Sequence, residues 1–454
     1  TLNTICLTMT VDLVVKNAKL VTPRGIIEGG LIINGGIITG ITKDPHLPQA
    51  DRVIDAKGKP VLPGPVDGHC HLSSPPDTPE TSSRAGAKGG FTTLLDMPPE
   101  VPIFNGEEYL SKKKKYARNC YVDYSLHGAA ASGYPAGSLS GQIAEGATGI
   151  KFFVSNAGPG WPQTYDGDIL NGFSEIAGVD GLALIHAEND QMIKDNLNRL
   201  KSEGRKDFLA YLEVRPRIAE VEAGKRMIQY LEETGCRGLI VHTSIPDTVY
   251  HAAKASVRGV KVNVETCPQY LYLTVDDVKE KGPFAKFAPP ARDKETVLKI
   301  RELLGKGWID TVATDHAPFS KEDKEAGLGD MLDAPNGIPG LEPFLSLLLN
   351  GVNDGWLSLE RLAAVISENP AKIFRLYPKK GALRVGSDAD LVIVDMDKEV
   401  TIRNEDQVTA CGWTPYDGFK VKGAPILSVV RGKVIMEDGE VVGEKGYGEY
   451  NPRL

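Results

Sequence analysis

Eight short apolar stretches, rich in β-branched residues, recur through the middle of the chain. They are PVDGHCH (65–71), FTTLLDM (91–97), YVDYSLHGA (121–129), TGIKFFV (148–154), LALIHAE (182–188), GLIVHTS (238–244), VKVNVETC (260–267) and DTVATDHA (310–317). Helix-like segments lie between most of them, for example GEEYLSKKKKYARN and KETVLKIRELLGKG. Runs such as GLALI and GLIV are continuously apolar, as parallel strands covered on both faces must be. Eight strand–helix units predict an α/β fold of the (β/α)8, or TIM-barrel, kind over residues 61–377. A doubly wound sheet is the competing arrangement, but no G-x-G-x-x-G follows the first strand.

The two ends read differently. DLVVKNAKLVT, GGLIINGGIITGI and DRVIDAKGKPVL at the front match GSDADLVIVDMD and APILSVVRGKVIMEDGEVV at the back, all short strands broken by glycine turns. Gly29–Gly30 and Gly35–Gly36 are expected hairpin turns. The expectation is a small β-sandwich domain assembled from residues 9–60 and 378–454, with residues 1–8 an extension outside the fold.

Charge excludes some partners. With 52 Lys and Arg against 60 Asp and Glu, the net charge is −8 and the signs are mixed along the chain, so no basic face for nucleic acid is expected. The KKKK run at 112–115, offset by Glu107 and Glu108, reads as a solvated helix face. No window approaches the ~18 apolar residues of a membrane span, and TLNTICLT lacks the pattern of a signal peptide. The 6 cysteines are scattered without paired spacing, which argues against a disulfide framework and for the cytoplasm.

Polar residues fall at the C-terminal ends of the strands, the face on which such barrels place their chemistry. His69, His71, Lys151, His186, His242 and Asp315 all do so. Side chains alternate along a strand, so His69 and His71 share a face and Cys70 points away to pack as a small hydrophobe. Four histidines and an aspartate converging on one barrel mouth point to a metal centre. Lys151 is the odd member, because an ammonium facing a barrel interior is costly unless paired or chemically changed. Burial lowers a lysine's pKa and makes it a nucleophile. Carbon dioxide would convert it to an anionic carbamate whose two oxygens can bridge two cations. Asp67 shares the face of the two histidines and could orient one of them, while His316 is left open between supporting the centre and simple packing.

DGHCH, GIKFF, HAEN, VHTS and ATDHAPF, in that order, resemble the cyclic amidohydrolases: hydantoinase, dihydropyrimidinase, allantoinase and dihydroorotase. The likeness extends to VETCPQYLYLT, NPAKIFRLYP, GSDADLVIVD and TPYDGFKVKGAPILSVVRGKV, and so covers nearly the whole chain. It implies two zinc ions, with manganese or cobalt as substitutes, and a carbamylated Lys151. One ion would take His69, His71, Asp315 and the carbamate; the other would share the carbamate and take His186 and His242. A hydroxide bridging the ions would attack the ring carbonyl, with Asp315 moving the proton to the departing nitrogen. The resemblance also implies a homodimer or homotetramer.

The ring is less plainly written. Dihydroorotases have an arginine at the position of Ser73 and an asparagine where this chain has Pro99 followed by Glu100, so a carboxylate-bearing ring loses its expected partners. Dihydropyrimidinases and D-hydantoinases carry a tyrosine shortly after the lysine; here Ser155 stands in that stretch, and Tyr165 is the next tyrosine. The segments around PNGIPGLE look most similar to L-hydantoinase-type enzymes, which places Asn336 as a substrate contact; an ordinary Asn-Gly turn is the other reading. Ser73, Ser155 and Asn336 are therefore the candidate substrate residues, and a hydantoin-like ring, allantoin included, is the expected substrate. Loops 73–83 and 154–167, the latter with Trp161 and Tyr165, could wall the ring. The alternatives are a dihydroorotase or a non-catalytic scaffold related to dihydropyrimidinase, which loss of the metal-binding side chains would have favoured.

Overall fold

A computed structural model describes residues 10–98, 106–116, 118–156 and 163–454. Each of the eight stretches contains a strand: Val66–Cys70, Thr93–Asp96, Asp123–Leu126 continued by Gly128–Ala129, Ile150–Phe153, Leu182–His186, Arg237–Ile240, Val262–Thr266 and Thr311–Val312. Neighbours pair in parallel in sequence order, in one arc of three strands and one of six. The arcs meet at His127, between the two pieces of the third strand. At the other seam Asp315 N donates to His69 O and His71 N to His316 O, both at 2.8 Å. The last strand thus reaches the first, and the ring of eight is complete.

Helices pack outside the ring. Lys294–Gly305 shows why they form: Asp293 caps it by accepting from Thr296 N at 2.9 Å, and Val297, Ile300, Leu303 and Leu304 fall on one buried face. Burying each of these four contributes roughly 1.5–3 kcal/mol. Its outer face carries the Lys299–Glu302 and Lys306–Glu302 pairs. The basic run lies on the helix Gly106–Tyr116, where Lys114 and Lys115 are exposed. No described helix is long and apolar enough to cross a membrane.

The chain ends build one nine-stranded sheet, eight strands on one hydrogen-bonded path and Ala50–Asp55 branching off it against Val11–Thr22, with a core of Val15, Leu20, Leu31, Ile33, Val61, Leu391 and Val429. The strand Pro60–Pro63 joins the halves, pairing with Val11–Thr22 on one side and Leu391–Thr401 on the other. Gly35–Gly36 is a turn, with φ of 60° and 76°. Gly29–Gly30 is not. It lies inside the strand Gly25–Asn34, whose turn is Pro23–Arg24 instead. A Cβ on Gly30 would sit 2.4 Å from Val15 O, so the glycine serves close strand approach rather than reversal.

At the sheet-facing end of the barrel, Lys380 is fully buried among Asp123, Asp388 and Asp390, with Nζ 2.7 Å from Asp390 and 2.8 Å from Asp388. Arg431 also pairs with Asp123. These acids are grouped closely enough to suggest a cation site, but the lysine already fills it. The 5 described cysteines at 70, 120, 236, 267 and 411 are all buried and free. Pro99, Glu100, Trp161 and residues 1–8 lie outside the described residues.

Candidate metal centre

The six side chains named from the sequence line one cavity of about 150 Å³ at the strand ends. His69, His71 and Asp315 are grouped tightly enough to share an ion, with donor atoms all within 4.8 Å of one another. Asp315 Oδ1 is 3.2 Å from His69 Nε2 and 3.7 Å from His71 Nε2. Lys151 Nζ is 3.5 Å from His69 Nε2, and His186 Nδ1 is 2.9 Å from His242 Nε2. His242 and Asp315 hold φ of 41° and 49°, backbone strain of the kind that collects at functional sites.

Neighbouring carboxylates fix the rings. Glu265 Oε1 lies 2.8 Å from His69 Nδ1 and accepts from His242 N at 3.3 Å. A proton on Nδ1, donated to Glu265, leaves the Nε2 lone pair facing Asp315 and Lys151. Glu188 Oε2 lies 2.9 Å from His186 Nε2 and pairs with the buried Arg215. Burial would raise the Glu188 carboxyl, but Arg215 and His186 outweigh it and hold it at about 2. His186 therefore donates from Nε2 and turns the lone pair of Nδ1 toward His242. The VETC and HAEN segments contain these glutamates, yet periodicity alone assigned Glu265 only to a strand.

Burial drives the remaining ionisation. It lowers Lys151 to about 8 and depresses His69, His186 and His242. It also pushes Glu265 up, against the pull of the Lys151 ammonium and the His242 N–H, which favour its charged form. An imidazole must be neutral to bind a metal, and burial keeps these in that form. His242 Nδ1 is buried without a hydrogen-bond partner, while its Nε2 faces His186 Nδ1. Four imidazoles, a carboxylate and an amine facing one cavity fit a zinc-type centre of mixed nitrogen and oxygen donors.

The other expected residues divide. Asn336 lines the cavity, its Oδ1 buried and without a partner. Ser74, rather than Ser73, lines it; Ser73 Oγ accepts from Tyr116 at 2.9 Å. Ser155 is buried just beyond the fourth strand, its Oγ unpartnered, but it is not among the described lining residues. Tyr165 is exposed. Phe153, Phe287 and Phe319 supply the apolar wall. Asp67 acts on the backbone rather than an imidazole, accepting from His69 N and Thr314 N at 3.1 Å each. His316 stands behind the cavity, between Asp77 and Gly340 N, each 3.1 Å away. Cys70 faces outward, as side-chain alternation requires, with Sγ 3.3 Å from Leu95 O.

A barrel with this strand-end cluster defines a metal-dependent hydrolase class, and residues 61–435 match the model of the amidohydrolase family. The chain belongs to that family. It is 39% identical over 457 residues to an L-hydantoinase of Paenarthrobacter aurescens, covering 97% of this chain and 98% of that one. It is 34% identical over 446 residues to an allantoinase of Solibacter usitatus, covering 96% of each. The solved structure of an L-hydantoinase (dihydropyrimidinase) from Arthrobacter aurescens superposes with a TM-score of 0.95, covering 98% of this chain and all of that one.

Proposed function

We propose that this protein opens the cyclic amide bond of a hydantoin-like ring, giving a carbamoyl amino acid or ureido acid. The observation that carries the reading is the lining of the cavity. Six metal-binding candidates face Asn336 across three phenylalanines, and Lys151 is the only lysine or arginine among the described lining residues. A ring carboxylate would have no free cation to meet, which disfavours dihydroorotate.

In this reading His69, His71 and Asp315 would hold one divalent ion and His186 and His242 a second, with a carbamylated Lys151 as a ligand available to both. The carbamate forms when the neutral amine attacks carbon dioxide and gives up a proton. A lysine lowered to about 8 has far more neutral amine at neutral pH than a solvated one, which supports this step. Zinc suits the donor set, with manganese or cobalt as substitutes. When bound, such ions polarise a carbonyl and lower the pKa of water. Asp315 would accept the proton of the attacking water and deliver it to the departing ring nitrogen. Asn336 would hydrogen-bond the ring, and Phe153, Phe287 and Phe319 would hold it away from solvent.

A substrate panel tests the reading: hydantoin, a 5-substituted hydantoin in both enantiomers, allantoin, dihydrouracil and dihydroorotate, with zinc-loaded protein and bicarbonate. Opening of hydantoins or allantoin supports it. Turnover of dihydroorotate alone would overturn it.

A further inference from the structure

Two lysines behind the cavity wall are buried without a carboxylate. Lys286 and Lys324 are 2% and 0% exposed, and among the described residues neither forms an ion pair. Buried ammonium groups normally require such a partner. Here backbone carbonyls take that place. Lys286 Nζ donates to Met331 O at 2.6 Å, Leu332 O at 3.1 Å and also Ala334 O. Lys324 Nζ donates to Lys286 O at 3.1 Å, Pro335 O at 3.0 Å and Gly337 O at 2.7 Å. Three acceptors around each nitrogen call for three N–H donors, which only the ammonium form supplies. Burial first, and then the neighbouring cations (Arg215 for Lys286, Lys286 for Lys324), push both groups below the usual lysine range, and the ring of carbonyls favours the charged form against that.

Five of the six caged carbonyls belong to the stretch that faces the site; the sixth is that of Lys286. Residues 331–337 form irregular backbone with no strand or helix to satisfy their carbonyls, and they end in the cavity-lining pair Asn336–Gly337. Lys286 precedes Phe287 and Ala288, which also line the cavity, and its own carbonyl accepts from Gly337 N at 3.0 Å. The Lys324 ammonium lies 5.9 Å from the ring centre of Phe319, another lining residue. Beyond Gly337, Ile338 O accepts from Ala317 N at 3.0 Å, tying the segment to the strand end that bears Asp315.

We infer that Lys286 and Lys324 are positioning residues for substrate, fixing Asn336 and Phe287 over the metal centre by gathering six carbonyls around two ammonium groups. The inference deepens the proposed function and rests on Asn336 touching the ring. An ordinary stabilising role would lower protein stability on mutation but would not act through Asn336.

A double-mutant cycle with hydrogen exchange separates these. Lys324→Met keeps the stem and removes the donors. Its expected effect is a KM for a 5-substituted hydantoin raised about tenfold, with kcat and metal content nearly unchanged and faster amide exchange across 331–337. In an Asn336→Ala background the same substitution should change KM by less than about twofold. An unchanged KM, or a full tenfold rise in that background, would overturn the inference. Should Lys324→Met fail to fold, Lys286→Met provides the same cycle. If the unmutated protein opens no hydantoin, the proposed function fails instead. The exchange comparison then decides the clamp alone: faster exchange at 331–337 upholds it, and unchanged exchange refutes it.

Discussion

Glu265 Oε1 lies 2.8 Å from His69 Nδ1, at the end of the seventh strand, and also accepts from the backbone of His242. One carboxylate thus steadies a donor from each half of the proposed centre. Glu265→Gln keeps the shape but weakens the acceptor that fixes the His69 tautomer. Metal affinity or activity should fall by about 10–100-fold. Metal content by atomic spectroscopy after dialysis against a weak chelator checks this, and unchanged retention would show that Glu265 merely packs there.

Lys380 neutralises the buried Asp388 and Asp390 and pairs with Asp123, binding the barrel to the terminal sheet. Lys380→Met leaves Asp123 with Arg431, Asp388 with the partly exposed Lys379, and Asp390 without an ion-pair partner among the described residues, and should cost about 3–5 kcal/mol of stability. Urea unfolding of both proteins at neutral pH reads that difference directly.

The same lysine predicts a pH window. Burial disfavours its charge, but the Asp390 and Asp388 carboxylates outweigh burial and hold it above its ordinary value. Its folded pKa exceeds its unfolded one, so the stabilisation is complete below the ordinary lysine value of about 10.4 and lost as pH rises through the raised one. The gap in urea midpoint between the native protein and Lys380→Met should stay constant from pH 8 to about 10 and narrow above that. A gap that closes already at pH 8 would contradict the assignment.

Gly337 has φ of +153°, and a Cβ there would meet Ala317 O at 2.6 Å and Phe319 Cε2 at 2.7 Å. Gly337→Ala must therefore displace the segment carrying Asn336. The strain is worth about 1–3 kcal/mol, and ring opening should drop about tenfold or more while the circular dichroism spectrum is kept. Steady-state kinetics on a 5-substituted hydantoin measures the loss.

Some of this architecture is legible in the sequence because one physical rule writes it. Strands covered on both faces must be apolar, so His186 or His242 at the end of such a run stands out. Alternation then separates His69 and His71 from Cys70. Glu265 escaped because VKVNVETC reads as a strand whatever its last polar residue does. Lys286 and Lys324 escaped because their partners are backbone carbonyls, which leave no trace in residue types. Gly29–Gly30 misled for a related reason: a glycine required by a crossing strand looks the same as one required by a turn. Ser73 and Ser155 were placed by family position, which fixes neither side-chain direction nor the neighbour that takes the hydroxyl.

The central claim is a two-ion centre bridged by modified Lys151, and one paired measurement tests it. Protein purified with zinc and bicarbonate is assayed for metal per chain and for hydantoin ring opening, beside Lys151→Ala. About two ions per chain with ring opening, both lost in the variant, is the predicted result. Full ring opening by Lys151→Ala, or by protein stripped of metal, would contradict the account.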